Sequence, residues 1–132
     1  MLLTPTYHVF DMYQPFQGAT LLPSELSAPE YKLGDVSIPS LSVSSARGAD
    51  GKIVLSLVNP DPNKPARVTV RIAGASAGVL SARVLTTPAM NTHNTFEKPD
   101  TVAPVAFTAG KKHGDAWVFD LPSKSVVVAT LF

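Results

Sequence analysis

Alternation of apolar and polar side chains with a period of two dominates the chain from about residue 40 onward. In the stretch KIVLSLVNPDPNKPARVTVRI, residues 52–72, Ile53, Leu55 and Leu57 alternate with Val54, Ser56 and Val58. Val68, Val70 and Ile72 then alternate with Arg67, Thr69 and Arg71. A period of two sends successive side chains to opposite faces of a sheet, so this stretch predicts two antiparallel strands joined as a central hairpin. The second strand has three β-branched apolar residues for the inner face and Arg, Thr, Arg for the outer one. Between them, Pro60, Pro62 and Pro65 lack the N–H that a ladder needs, so pairing must stop there.

The same reading extends along the chain. Leu41 and Val43 alternate with serines from Ser40 to Arg47, and Gly48-Ala49-Asp50-Gly51 is a turn with Asp-Gly as its strongest signal. Residues 79–86 predict a strand with Leu80, Ala82 and Val84 on one face. Trp117, Phe119 and Leu121 alternate with Val118 and Asp120, and Ser125–Phe132 is apolar on both faces, as a central strand would be. Pro122-Ser123-Lys124 is expected to join these last two as a hairpin. Residues 17–39 are broken every few positions by proline or glycine and offer only edge strands, such as Ala19–Leu22. Residues 87–104 form a long loop without periodicity, a length usually associated with function or with packing on a neighbour. Six or seven strands with one or two edge candidates predict an all-β chain, an antiparallel β-sandwich.

One segment has a different period. Residues 2–14 predict a helix, with Thr4 as N-cap, Pro5 at the first helical position and Pro15 ending the run. Leu2, Leu3, Tyr7, Val9, Phe10, Met12 and Tyr13 cover roughly two-thirds of its circumference, leaving Thr4, His8 and Asp11 as a polar stripe. A helix this apolar needs partners on more than one side. A sandwich covers one of them, so the chain is expected to be a piece of something larger. If nothing covers the rest, the helix should fray or pack on a second copy.

Composition narrows the function more than it defines it. A length of 132 residues implies one domain with a sizeable core. The formal net charge is +1 and Lys111-Lys112 is only a pair, which argues against nucleic acid. No apolar run approaches the length of a membrane span, and Met1-Leu2-Leu3 lacks the features of a signal peptide. The absence of cysteine excludes disulfides and thiolate metal sites and leaves the compartment open.

Candidate chemistry is sparse. Glu25, Glu30 and Glu97 are the only glutamates, all in irregular stretches near prolines, and read as solvated loop carboxylates. His8, His93 and His113 are scattered without the spacing of a metal site, so no catalytic, cofactor or metal residue is assigned. His93 reads as a loop-ordering residue bonded to nearby backbone, and Asn91 and Asn94 as residues that turn the loop through side-chain-to-backbone bonds. Asn91, His93 and Asn94 are also candidate contacts of that loop with a neighbouring domain. Trp117 follows an inward alternation and reads as core, which leaves Tyr31 as the candidate exposed ring. A glycan-binding sandwich would need more aromatics than that, but it remains the alternative reading.

Three ordered segments, LTPTYHVFDMY (3–13), LVNPDPNKPARVTV (57–70) and MNTHNTFEKPDTVAP (90–104) with the closing LPSKSVVVATL (121–131), resemble the C-terminal region of the family 51 glycoside hydrolases, the α-L-arabinofuranosidases. The resemblance implies a jelly-roll-like sandwich over residues 18–132. It implies that residues 1–17 carry the last helix of a (β/α)8 catalytic barrel, which would be the partner. Tyr7, Val9, Phe10 and Tyr13 are then candidate barrel-docking residues. The family's two catalytic glutamates lie on barrel strands, and no position here corresponds to either.

Overall fold

The structure, a computed structural model, describes residues 1–74 and 78–132, without the side chains of Val79 and Leu80. It contains one helix, α1 (Pro5–Met12), a 3-10 turn (Gln14–Phe16) and the strands β1 (Thr20–Leu21), β2 (Glu30–Leu33), β3 (Val36–Pro39), β4 (Ser42–Arg47), β5 (Ile53–Asn59), β6 (Ala66–Arg71), β7 (Val79–Leu85), β8 (Val105–Ala106), β9 (Gly110–His113), β10 (Ala116–Leu121) and β11 (Ser125–Leu131). A six-stranded sheet runs β1-β4-β5-β11-β7-β8 and a three-stranded sheet runs β6-β10-β9, every neighbour antiparallel. The pair β2-β3 stands apart as a two-stranded ribbon.

The antiparallel sandwich of the sequence reading is present, but its central hairpin is not. β5 lies in the large sheet between β4 and β11, whereas β6 pairs with β10 in the small one. Residues 60–65 are therefore an arch from one sheet to the other. Ile53, Leu55 and Leu57 meet Val68 and Val70 across the sandwich instead of along a ladder. The expected β10–β11 hairpin is likewise an arch, since β11 pairs with β5 and β7. Alternation identifies the buried face of a strand but not the strand beside it. The hairpin at Gly48–Gly51 does form, with β4 and β5 in register and Gly51 at φ +81°.

The two arches brace one another. Asn59 is buried and fully bonded: its Nδ2 donates to the carbonyls of Lys64 and Pro122, both at 2.9 Å, and its Oδ1 accepts from the Asp61 N–H at 3.1 Å. Lys124, at φ +51°, donates its N–H to Asp61 O at 2.9 Å and its Nζ to Pro62 O at 2.7 Å. Asp61 Oδ1 also accepts from the N–H groups of Asn63 and Lys64. These bonds supply the partners that the prolines cannot offer.

Both faces of the large sheet are buried. On the inner face, Leu55, Leu57, Val127, Ala129 and Leu131 pack against Val68, Phe119 and Leu121 of the small sheet. Trp117 is half-buried against the same core, as its alternation predicts. On the outer face, Val54, Leu85 and Val128 pack against Met12 of α1 and Val102 of the long loop. The strands missed by the sequence reading, β2, β3, β8 and β9, are short or largely exposed, so burial imposes little periodicity on them.

Candidate functional site

The outer face of the large sheet is where the chain's helix and its longest loop come together. α1 starts where the sequence places its cap: Thr4 has extended geometry and its Oγ1 accepts the Tyr7 N–H at 3.2 Å. The helix is shorter than the 2–14 span read from the sequence. Leu2 and Leu3 precede the cap, and after Met12 the chain tightens into the 3-10 turn containing Pro15.

The helix is also turned differently from what an outward polar stripe would suggest. His8 and Met12 are its buried residues, His8 at 7% exposure, and Asp11 pairs with Arg83 of β7 at 2.9 Å. His8 Nε2 is a buried atom with no hydrogen-bond partner among the described residues. Two of the stripe's polar residues thus lie against the sheet, while Tyr7 at 49% and Phe10 at 74% exposure look outward. The four docking candidates split accordingly. Val9 and Tyr13 pack half-buried on the chain's own sheet, with the Tyr13 hydroxyl bonded to Ser56 Oγ and its ring stacked on Phe16 at 5.3 Å. Tyr7 and Phe10 face away from it.

The loop 87–104 is pinned to this seam by Asn94. Its buried amide donates to Leu3 O and Val102 O, both at 2.9 Å, and accepts the Val102 N–H at 2.6 Å. Asn94 is thereby committed within the chain, holding the lead into the helix and inserting Val102 beneath it. His93 orders the loop as expected, its Nδ1 lying 2.9 Å from Asn91 O, and both residues are exposed. Met90 and Phe96 are exposed as well. Asn94 was legible as a turn residue, but its reach across 91 positions to Leu3 left no local signal.

The glutamates lie apart on the surface of the chain. Glu25, Glu30 and Glu97 are exposed, and Glu30 pairs with Lys32. Glu97 is held below its ordinary pKa by backbone and Thr95 hydrogen bonds, Asp61 by the Asn63 and Lys64 N–H groups, Asp50 by Lys52, and Asp120 by the Arg67 guanidinium. Retaining glycoside hydrolysis needs a carboxyl whose pKa is raised, facing a second one at about 5 Å. Each of these four shifts runs the other way. Among the described residues no three His, Cys, Asp or Glu side chains gather as a metal site.

Residues 1–125 match the family described as the alpha-L-arabinofuranosidase C-terminal domain. The chain belongs to this family. It is 34% identical over 132 residues to an intracellular exo-alpha-L-arabinofuranosidase of Bacteroides ovatus, covering 99% of this chain and 26% of that protein. The crystal structure of the GH51 arabinofuranosidase from Xanthomonas axonopodis pv. citri superposes with a TM-score of 0.95 at 39% identity, over 100% of this chain and 27% of that one. An arabinofuranosidase from Thermotoga maritima, solved with arabinose, shares the fold with a TM-score of 0.80 at 20% identity, over 98% and 29% of the two chains. This arabinofuranosidase C-terminal domain therefore spans about a quarter of the length of these relatives.

Proposed function

We propose that this chain is the non-catalytic sandwich of a longer α-L-arabinofuranosidase polypeptide and that it stabilises that enzyme's catalytic barrel. In this reading residues 1–17 are the last helical element of the barrel and residues 18–132 the sandwich. The longer enzyme releases arabinofuranosyl units from arabinan or arabinoxylan with retention. The observation that carries the reading is the two-sided helix α1. Its inner side is fastened to the sheet by Met12, Tyr13 and the Asp11–Arg83 pair, while Tyr7 and Phe10 remain uncovered. A helix fastened on one side and carrying exposed aromatic rings on the other fits between two layers.

The reading also accounts for the chemistry. The carboxylates with lowered pKa values stay ionised at neutral pH, where they accept hydrogen bonds and carry no proton to donate. Hydrolysis of an aryl arabinofuranoside is the test. The chain alone should give no turnover, and the polypeptide carrying the upstream barrel should give it. Phe10→Ser in that polypeptide should lower its melting temperature while leaving kcat/KM of the folded enzyme unchanged. Turnover by the chain alone would overturn the proposal.

A further inference from the structure

The ribbon β2-β3 is amphipathic, and most of its apolar side is exposed. Its register places Tyr31 opposite Ile38 and Leu33 opposite Val36. Alternation then puts these four side chains on one face, with Lys32, Ser37 and the Glu30–Lys32 ion pair on the other. Apolar residues on one strand face normally mark the buried face. Here Leu33 is 74%, Val36 67% and Ile38 44% exposed, while Tyr31 is half-buried. Among the described residues the ribbon pairs with no other strand, and a two-stranded ribbon alone is marginal in water. Gly34 at φ +58° turns its tip, and it joins the body between β1 and β4, at one edge of the large sheet.

We propose that this apolar face is a docking arm for the upstream part of the same longer polypeptide, a contact separate from helix α1. The inference rests on the reading of the chain as one domain of a longer enzyme. Interface area selects this occupant. Four side chains can bury a few hundred Å² at most, against roughly 800 Å² per partner in a stable complex between separate molecules. A patch too small to hold a second copy suffices when its partner is tethered, because the tether raises the effective concentration. The length outside this chain fits as well, since the chain covers only 26% of its Bacteroides relative and 27% of its Xanthomonas one.

The test uses the longer polypeptide throughout. Amide hydrogen exchange over residues 30–39 is compared between the parent and a Leu33→Thr/Val36→Thr variant, which keeps strand-forming residues but makes the face polar. Molar mass is followed by light scattering. Docking predicts ribbon amides at least tenfold slower than the intrinsic rate in the parent, loss of most of that protection in the variant, and the same mass for both. Ser37→Glu, on the polar face, should leave the protection intact. Ribbon amides exchanging at the intrinsic rate in the parent would overturn the inference. So would protection that disappears together with a fall in mass, which would assign the face to a second copy. If Phe10→Ser destabilises the same polypeptide while the ribbon stays unprotected, the domain reading survives and only the arm falls. If neither responds, both fall.

Discussion

The two faces of the six-stranded sheet are covered in different ways. The inner face is closed by β6-β10-β9, whose far side carries Arg67, Thr69 and Asp120, and Arg67 Nε meets Asp120 Oδ1 at 2.6 Å. That cover ends in side chains that water solvates well. The outer face is closed by α1 and the loop around Asn94 and Val102, and Tyr7 and Phe10 of the helix and Met90 and Phe96 of the loop are exposed. One cover ends in polar side chains; the other ends in exposed apolar ones, which the proposed function assigns to an interface. An apolar cover left facing water implies a further layer, whereas a polar one does not.

Substitutions can break this contrast at either face. The largest loss should come from Phe119→Ala, which empties the centre of the inner core: about 3–5 kcal/mol, read by denaturant titration. Val70→Asp should also cost a large part of the melting temperature, because it puts a charge into the inner layer, while Arg71→Glu on the outer side of the same strand should cost little. Equal effects would reverse the assignment of faces. On the helix side, Met12→Ala should cost about 2–5 kcal/mol, since Met12 fills the seam between α1 and the sheet. Asn59→Ala removes the donor of the Lys64 carbonyl and the acceptor of the Asp61 N–H, while the Pro122 carbonyl keeps Ser125 Oγ, a loss of about 2 kcal/mol by the same titration.

Acid should produce the smallest effect. Asp50 and Asp120 are exposed and Asp61 is partly so, and their folded pKa values lie below the unfolded ones. Their contribution is therefore present above the unfolded carboxylate pKa and is lost as pH falls through the folded values, below about pH 4. A modest decline in melting temperature confined to that range is expected, smaller in an Asp61→Asn/Asp120→Asn variant.

The sandwich was legible because its long strands are buried on known faces. Ile53, Leu55 and Leu57, Val68 and Val70, and both sides of β11 were all assigned correctly by alternation. The sheet each strand joins was not legible, because β5 and β6 share an inner face whether they pair or oppose. The signal that could have separated these cases was Asn59 with its three following prolines, a poor turn for a tight hairpin and a good corner between sheets. The helix was found and capped correctly, but the side it turns to the sheet was not legible, because Asp11 has Arg83 as a distant partner and His8 is buried. The ribbon β2-β3 escaped because prolines flank it and Gly34 interrupts it. The arabinofuranosidase assignment depended on ordered motifs across the chain and not on any reactive residue.

The central claim is that the outer face of α1 is an interface. It is tested most directly by the melting temperature of Phe10→Asp in two contexts, the 132-residue chain and the longer polypeptide. The account predicts little change in the first, where Phe10 already faces water, and a clear drop in the second, where a charge would enter a covered layer. Equal small changes in both would contradict it.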